Sequence, residues 1–222
     1  TRDARFSACS ITFLVCAYST LPVQRKKKGM QSLFSRHDLG KDVDLSNFYV
    51  FRNGFTPQEV DAIKRLVSEA QAKPGTAGGK VKPEYRSSSI VWLPNSLPHR
   101  WIYDKVAAYV REANKECFGF ELTGFGEDAQ AATYTPGDHY DWHLDVGRQC
   151  TWRKLSVSIQ LSPSDAYTGG DLELQYGRVP KKMPRDQGAV VVFPSYLLHR
   201  ITPVTSGTRQ SLVVWVSGVP FH

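Results

Sequence analysis

The chain has 222 residues, of which 41% are hydrophobic and 22% are charged. These proportions are ordinary for a globular protein, and the length suffices for one large domain with a substantial core. The formal net charge of +7 permits an anionic partner (a small acid, a nucleic acid or an acidic protein) without choosing among them. The four cysteines include no close-spaced pair, which argues against a disulfide framework or a zinc ribbon. We therefore expect free thiols, a reducing compartment and a cytoplasmic protein.

The first 29 residues differ in character from the rest. Their apolar run, SITFLVCAYSTL, is followed by QRKKKG and is too short to span a bilayer, so no membrane partner is expected. We interpret residues 1–29 as an upstream extension, a processed leader or a cloning remnant, and expect them to be poorly ordered. Residues 30–222 are assigned to a single domain.

Residues 47–118 are predicted to form a helical layer. The segment NFYVFRNGF indicates a strand that ends at a turn, and TPQEVDAIKRLVSEAQ follows with the signature of a helix start. Thr56 is the expected N-cap, Pro57 occupies the first helical position, and Glu59 completes a capping box. The apolar stripe of this helix consists of Val60, Ile63, Leu66 and Val67.

The second half of this layer contains a loop, a strand and a second helix. Residues 73–86 are rich in Gly, Pro and Lys, which predicts a mobile loop, and SSSIVWL after them predicts a strand. A helix is then expected from about Pro98 to Cys117. Its stripe consists of Trp101, Ile102, Lys105, Val106, Tyr109 and Val110.

Residues 119–218 have the character of a β-core. Short strand-like runs recur between turn signals: DAQAATYTP, YDWHLDV, KLSVSIQLS, GGDLELQY, GAVVVFPS and RQSLVVWVSG. Such spacing is typical of a β-sandwich or barrel. AVVVF and LVVWV are apolar without a break, which indicates central strands covered on both sides. The prediction is a mainly β, α+β fold with the helices packed on one face of the core. One strand alternates, with Leu155, Val157, Ile159 and Leu161 on one side.

The segment YTPGDHYDWHLD concentrates metal-binding and titratable groups. Residues two apart on a strand point to the same side, so His143 and Asp145 present an imidazole and a carboxylate together. A metal site and a surface hydrogen-bonded pair both fit this pattern. His199 follows a buried strand, where a ligand and a packed histidine are again alternatives. Arg209 and Ser211 share one side of an otherwise apolar strand, and a buried arginine needs either a distant carboxylate or a bound anion as its partner.

Taken together, these segments resemble the Fe(II)/2-oxoglutarate-dependent dioxygenases, specifically the prolyl-4-hydroxylase-like branch that includes the PKHD-type hydroxylases. The similarity lies in YTPGDHYDWHLD, YTGGDLEL, GAVVVFPS and HRITPVTSGTRQSLVVW, and it covers residues 47–218. The resemblance implies a double-stranded β-helix (a jelly-roll or cupin-like core) and makes residues 30–222 one oxygenase domain. Animal collagen prolyl hydroxylases have a lysine where this chain has Arg209, so prolyl specificity does not follow from the resemblance.

The same resemblance implies a reaction and the residues that carry it. Dioxygen and 2-oxoglutarate are consumed, succinate and CO2 are released, and an unactivated C–H bond is hydroxylated, with ascorbate as the expected reductant. Fe(II), the doubly negative 2-oxoglutarate, one carboxylate and one guanidinium add up to a neutral site, which suits burial. The implied Fe(II) ligands, which are also the catalytic residues, are His143, Asp145 and His199. The implied 2-oxoglutarate contacts are Arg209, Tyr134 and Ser211.

Residues next to the implied triad are candidates for substrate contacts, namely Tyr140, Trp142 and Arg153. Simple strand parity points Tyr140 away from His143, but the adjacent turn can reset that direction. A solvated loop is the alternative for Arg153. Asp141 can orient a ligand histidine through its carboxylate or can face water.

Three functions are compatible with these observations. Hydroxylation of a protein or peptide side chain is the leading hypothesis, with proline as the first candidate. The second is the same chemistry on a free amino acid or another small molecule. A nucleic-acid partner is not expected, because nucleic-acid demethylases of this superfamily place the oxoacid arginine further beyond the distal histidine. The third is a jelly-roll binding module, which has no use for open metal positions. The sequence does not indicate the oligomeric state.

Overall fold

The structure is a computed structural model that describes residues 47–220, so the predicted extension at residues 1–29 lies outside the described part. Two helices, α1 (Pro57–Glu69) and α2 (Arg100–Ala113), are present, and a π-helical turn, Asn114–Phe118, follows α2 directly. The strands are β1 (Tyr49–Phe51), β2 (Lys73–Pro74), β3 (Arg86–Ser87), β4 (Ser89–Leu93), β5 (Leu122–Gly124), β6 (Ala129–Tyr134), β7 (His139–His143), β8 (Arg153–Gln160), β9 (Tyr167–Gly169), β10 (Leu172–Gln175), β11 (Lys181–Lys182), β12 (Val190–Pro194), β13 (Leu198–Ile201), β14 (Val204–Gly207) and β15 (Arg209–Gly218).

The strands form two sheets that share one buried interior. The major sheet has the order β1-β12-β8-β15-β6-β4-β2, with β5 also paired to β15, and the minor sheet has the order β11-β10-β13-β7-β3. A two-stranded ribbon, β14-β9, completes the described part. Apolar side chains of both sheets pack in one cluster, in which Phe193 of the major sheet meets Leu174 of the minor sheet. This antiparallel arrangement confirms the predicted mainly β fold with a double-stranded β-helix core.

The first helix begins as the sequence predicts. The Thr56 side chain accepts a hydrogen bond from the Glu59 backbone, the Glu59 carboxylate accepts one from the Thr56 backbone, and Pro57 opens the helix. A cap of this kind stabilises a helix by about 1 kcal/mol. Glu59 also accepts a hydrogen bond of 2.5 Å from Lys105 of α2, so the same side chain joins the two helices.

The second helix buries a stripe that differs in one place from the prediction. Ile102, Val106 and Val110 are buried as expected, but Tyr103 is also buried, and Lys105 pairs with a carboxylate instead of packing. The Tyr103 hydroxyl donates to the Leu93 carbonyl oxygen and accepts from the Ala129 backbone, at 2.6 Å in each case. Tyr103 therefore ties the helical layer to β4 and β6, which its polar tip allows and a period-based prediction does not anticipate.

The segment predicted as a helical layer also supplies strands to both sheets. SSSIVWL forms β4, as predicted, and this strand lies between β2 and β6 of the major sheet. Residues 73–86, predicted as a loop, begin with β2 and end at β3, which joins the minor sheet beside β7. The two ends of this segment are therefore fixed by strand pairing.

The strands at the centre of the major sheet are covered on both sides, as their unbroken apolar runs predict. On β12, Val190 and Val192 pack in the cluster that contains the helices, while Val191 and Phe193 pack in the interior between the sheets. The predicted face is confirmed, because the three apolar residues of β8 and the leucine that directly follows the strand all belong to the helix-side cluster. Each such buried side chain contributes about 1.5–3 kcal/mol. The residues of this helix-side face are Leu155, Val157, Ile159 and Leu161.

The interior between the sheets is only partly filled. A cavity of about 630 Å³ remains there, lined by residues of both sheets. Its walls include Ser158 and Ser211 of the major sheet and His143 and His199 of the minor sheet. Neither helix of the described part has the length and apolar character needed to cross a bilayer.

Candidate active site

Three residues that the sequence singled out converge on one wall of the cavity. Strands β7 and β13 are neighbours, and their register places His143 opposite His199. Asp145 follows β7, and its backbone is held by a 2.9 Å hydrogen bond to the Ser195 carbonyl oxygen. The Nε2 atoms of His143 and His199 lie 3.8 and 3.4 Å from the Asp145 carboxylate oxygens. All three side chains are buried, and one ligand atom from each lies within 4.8 Å of the others.

Backbone carbonyl groups orient both imidazoles. Nδ1 of His143 lies 2.7 Å from the Asp141 carbonyl oxygen, and Nδ1 of His199 lies 2.8 Å from that of Leu197. A carbonyl oxygen only accepts, so we infer that both Nδ1 atoms carry the proton and both Nε2 lone pairs face Asp145. Burial and the adjacent His199 lower the pKa of His143 to about 3. The ring is therefore neutral at physiological pH, which is the metal-binding form.

Asp141 acts through its backbone instead of the carboxylate contact that the sequence suggested. Its carboxylate accepts from the Trp142 backbone at 2.7 Å, and its side chain is exposed. The carbonyl oxygen of the same residue provides the hydrogen bond to His143. Peptide groups of this kind fix imidazole orientation as well as a carboxylate does.

Asp145 is a buried carboxylate whose environment keeps it ionised. Burial alone raises its pKa, but His199, His143 and the Ser156 hydroxyl together hold the pKa well below the usual range. The Ser156 hydroxyl donates to the Asp145 carboxylate at 2.6 Å and lies 3.0 Å from the Ser195 hydroxyl. Sequence reasoning missed both serines. The alternation of β8 carried a signal for Ser156, because it puts this residue on the side opposite Leu155.

The three side chains fit a divalent metal ion. The ionised, buried carboxylate of Asp145 beside the neutral His143 ring is a negative charge that a cation would offset. Two histidine nitrogens and one carboxylate oxygen form the facial triad that suits non-haem Fe(II) and leaves coordination positions open. The surface-pair alternative for His143 and Asp145 is wrong, since both are buried.

Arg209 is a buried cation without an anionic partner. It is 1% exposed, one terminal nitrogen donates to the Ser211 hydroxyl at 3.0 Å, and its Nε has no hydrogen-bond partner. Within residues 47–220 no carboxylate forms an ion pair with it, so the salt-bridge alternative is not found there. Burial lowers the pKa of this guanidinium, which is the cost that a bound anion would offset.

Aromatic and polar side chains surround Arg209. Tyr134 lies opposite it in the pairing of β6 with β15, and its ring centre is 5.4 Å from the guanidinium carbon. The Tyr167 side chain raises the pKa of Arg209, and its hydroxyl accepts from the Gln160 side chain at 2.8 Å. Gly170 has a φ of +60°, and a Cβ there would lie 3.0 Å from Arg209 Cδ. Arg209, Tyr134 and Ser211 therefore lie together, with Tyr167 and Gln160 beside them, and their binding of 2-oxoglutarate stays a prediction.

The three candidate substrate residues divide between the cavity and its exterior. Tyr140 lines the cavity, and its ring stacks on His143 with centroids 3.5 Å apart. Between Tyr140 and His143, β7 advances by three residues while the paired β13 advances by two. This β-bulge reverses the alternation of side-chain directions that simple strand parity predicts. Arg153 also lines the cavity, bonded to Glu127 at 2.6 Å. Trp142 is different, because it packs under Arg200 at 4.6 Å and is not part of the cavity wall.

Comparison with known proteins defines the class of this fold and site. Residues 129–217 match the family model of the 2OG-Fe(II) oxygenase superfamily, and this range includes the whole triad and Arg209. Within residues 129–217 the chain is therefore similar to that superfamily, and its relatives lie in the branch that contains the PKHD-type hydroxylases and the prolyl 4-hydroxylases.

The individual relatives lie in the same branch. The chain is 38% identical over 85 residues to a PKHD-type hydroxylase of Hyphomonas neptunium, covering 36% of this chain and 38% of that protein. It is 37% identical over 93 residues to one of Shewanella oneidensis, covering 39% and 41%. The matched part thus spans about two fifths of the length of these relatives.

Solved structures extend the similarity over most of the chain. A prolyl-4-hydroxylase of Pseudomonas putida is 25% identical with a TM-score of 0.62, covering 77% of this chain and 92% of that one. A Trichoplax adhaerens prolyl hydroxylase, solved in complex with a hypoxia inducible factor oxygen degradation domain peptide fragment, shares the fold. It is 19% identical with a TM-score of 0.67, covering 78% and 84%.

Proposed function

We propose that this protein is an Fe(II)- and 2-oxoglutarate-dependent dioxygenase that hydroxylates an unactivated C–H bond of a protein or peptide side chain. One observation carries the proposal: a buried metal-ligand triad lines the same cavity as Tyr134 and Ser211, which contact a buried arginine, Arg209, that no carboxylate of residues 47–220 pairs with. A binding module needs neither feature. The PKHD-type relatives and the P. putida prolyl-4-hydroxylase support the same chemistry.

The residues of this chain would divide the work between metal and cosubstrate. His143, Asp145 and His199 would hold Fe(II), which with 2-oxoglutarate and dioxygen supplies the oxidising chemistry and releases succinate and CO2. Arg209, with Ser211, would bind the distal carboxylate of 2-oxoglutarate through charge-assisted hydrogen bonds. The charges of these groups then cancel, which removes the penalty of burying them singly.

The surroundings of the triad would keep it in one geometry and dry. The Ser156 hydroxyl fixes one oxygen of Asp145, and Tyr140 stacks on the His143 ring. Phe193, which contacts His199 edge-on with ring centroids 4.9 Å apart, and Leu172 cover the site with apolar surface. Exclusion of water strengthens the electrostatic interactions inside such a site.

Support for a protein or peptide substrate comes from the shape of the cavity and from the relatives. The cavity walls include exposed apolar side chains, Trp92 and Leu144, which suit a chain segment that enters from outside. Proline is the first candidate residue, given the P. putida prolyl-4-hydroxylase. A free amino acid or another small molecule is the alternative substrate, and ascorbate is the expected reductant.

Succinate formation tests the proposal directly. Purified protein is incubated with Fe(II), ascorbate, dioxygen and 2-oxoglutarate, alone and with panels of proline-containing peptides and free amino acids. Mass spectrometry then identifies any probe that gains one oxygen atom. We expect slow succinate release without a probe and faster release with peptides. If free amino acids alone accelerate it, the small-molecule alternative is correct.

Substitution of one ligand provides the matched comparison. His199→Ala should reduce succinate formation to background and abolish Mn(II) binding measured by electron paramagnetic resonance. His99→Ala changes a half-buried histidine at the start of α2, outside the cavity wall, and should retain both. Full turnover by His199→Ala would show that the triad is misassigned.

A further inference from the structure

A second buried arginine, Arg86, lines the cavity that contains the triad. Arg86, the first residue of β3, is 6% exposed. Its Nε donates to the Ser88 hydroxyl at 3.0 Å, and its terminal nitrogens donate to the Thr76 carbonyl oxygen at 3.0 Å and to the Gln130 side-chain oxygen at 2.6 Å. All three acceptors are neutral, and no carboxylate within residues 47–220 forms an ion pair with Arg86. Its charge therefore stays uncompensated in a buried setting.

Arg86 lies near the metal ligands but away from the proposed 2-oxoglutarate residue. Its guanidinium carbon is 4.5 Å from the centre of the Tyr140 ring, which itself stacks on His143. Along β15, Gln130 pairs with Val213 whereas Tyr134 pairs with Arg209. Four residues of a strand span about 13 Å. Arg86 and Arg209 are thus anchored at different points along β6.

The charges on the cavity wall leave an excess of positive charge around Arg86. Glu127 is already bonded to Arg153 at 2.6 Å, and in the proposed function the metal ion offsets Asp145. Arg86 and the exposed Arg148 remain. The described residues of the cavity wall therefore leave a net positive charge for an anionic group of the substrate.

An unpaired donor lies on the same wall. The indole nitrogen of Trp215 is buried and has no hydrogen-bond partner among residues 47–220, and Trp215 lines the cavity. Buried donors are nearly always paired, so this N–H and the spare N–H groups of Arg86 both suit an acceptor that arrives with the substrate.

We propose that Arg86 recognises a carboxylate on the substrate, close to the carbon that is hydroxylated. The inference rests on the proposed function, whose substrate class it narrows to peptides with an aspartate or glutamate beside the target residue, or with the target at a free C-terminus. Arg86 is then a specificity-determining residue, because a guanidinium binds a carboxylate bidentately and leaves the matching amide with a weaker, neutral bond.

A peptide array tests whether Arg86 recognises an acidic neighbour of the target residue or a free C-terminus. Peptides with a central proline carry Asp, Asn or Lys at each neighbouring position, and a second set ends in proline as the free acid or the amide. Probe-stimulated succinate release and oxygen incorporation give kcat and KM for each. We expect the acid member of one matched pair to exceed its amide in kcat/KM by about 10- to 100-fold, the range for hydrogen bonds to charged groups, mainly through KM.

Variants distinguish recognition of the substrate carboxylate by Arg86 from a purely structural role of this residue. Arg86→Gln should remove the preference for the acid, and Arg86→Lys should retain part of it. Gln130→Glu places a carboxylate beside Arg86 and leaves the arginine in the fold. Gln130→Glu should also remove the preference for the acid, because the new carboxylate neutralises Arg86. A purely structural role of the contact between Arg86 and residue 130 would instead be strengthened by this change. Arg100→Gln changes an exposed arginine of α2 and should behave as the unchanged protein.

The outcomes that contradict the inference differ from those that contradict the proposed function. If the unchanged protein forms succinate but no acid probe exceeds its amide, or if Gln130→Glu keeps the full preference, the inference is wrong. If neither succinate formation nor Mn(II) binding occurs, the proposed function itself fails.

Discussion

The two faces of the major sheet have opposite chemistry although the same strands form both. Towards the helices, the middle of β8 and of β15 presents aliphatic side chains, and all of these are buried. Towards the cavity, the alternate residues of the same strands are mostly polar and are buried as well. The helix-side residues are Leu155, Val157, Ile159, Leu212, Val214 and Val216. The cavity-side residues include Ser156, Ser158, Gln160, Arg209 and Ser211.

This difference indicates that the helix-side face stabilises the fold and that the cavity-side face forms the site. Burial of aliphatic surface is the main stabilising contribution. The polar groups opposite are bonded mostly to one another, as Ser156 is to Asp145 and Arg209 to Ser211. Such bonds replace bonds to water and contribute little net stability. Substitutions on the helix side should therefore change the free energy of unfolding, and those on the cavity side should change ligand binding.

Arg209→Met gives the largest expected effect on binding. At a concentration 100 times its dissociation constant, 2-oxoglutarate with Mn(II) should stabilise the unchanged protein by about 2.7 kcal/mol. The variant should lose nearly all of this, because a neutral side chain cannot pair with the carboxylate. Without ligand it should be no less stable than the unchanged protein, since an uncompensated buried charge has been removed. Thermal unfolding with and without 2-oxoglutarate measures both quantities.

Arg52→Met is the control for that measurement. Arg52 is exposed and pairs with Asp186 on the surface, so its removal should leave the stabilisation by 2-oxoglutarate intact. Equal stabilisation of Arg209→Met and Arg52→Met would mean that Arg209 does not bind the cosubstrate.

Leu155→Ala tests the face of the major sheet that packs against the helices. Leu155 belongs to β8. Leu155 is fully buried, and truncation of such a leucine lowers the free energy of unfolding by about 2–5 kcal/mol. Urea unfolding measures the loss. Mn(II) affinity of the folded variant should stay within a factor of two or so of the unchanged protein, because packing losses away from a site rarely couple to it. A large loss of Mn(II) affinity would show that the two faces are not independent.

Much of the difference between the two faces could be predicted from the sequence, because it depends on the spacing of apolar and polar residues within short segments. The alternation in KLSVSIQLS fixed the helix side of β8, and the capping box fixed the start of α1. The ten-residue step from His199 to Arg209 and the H-x-D pair carried the resemblance that predicted the site. Each of these signals lies within a short stretch of the chain.

The features that the sequence did not predict depend on pairing between distant segments. Arg86 follows a Gly- and Lys-rich stretch and gives no sign of burial until β3 joins β7. The direction of Tyr140 depends on a bulge opposite β13. Ser195 supports the site only because the turn after β12 lies against Asp145. Such contacts are set by the register of strands far apart in the chain.

Ser156→Ala should affect the site moderately and the fold little. The variant removes the hydroxyl that fixes one oxygen of Asp145, and loss of such a supporting hydrogen bond lowers metal affinity by about 10- to 100-fold. Mn(II) titration by electron paramagnetic resonance checks this. Ser68→Ala, on an exposed turn of α1 where the hydroxyl bonds only to the Arg65 backbone, is the control. An unchanged Mn(II) affinity in Ser156→Ala would argue that Asp145 is positioned by its backbone alone.

Glu59→Gln should have the smallest effect, and only through pH. Burial raises the pKa of Glu59, but hydrogen bonds from Lys105 and Thr56 outweigh it and lower the pKa below its usual value. A carboxyl whose pKa is lower in the folded state stabilises the fold above its unfolded pKa of about 4.3, and this stabilisation is lost as the pH falls through the folded value. Glutamine keeps the capping geometry without the charge, so the unchanged protein should exceed the variant by about 0.5 kcal/mol at pH 7. Urea unfolding between pH 7 and pH 3 should show this difference shrink below about pH 4.5, with Glu69→Gln at the exposed end of α1 as the control. A difference that stays constant to pH 3 would mean that the charge of Glu59 does not stabilise the helical layer.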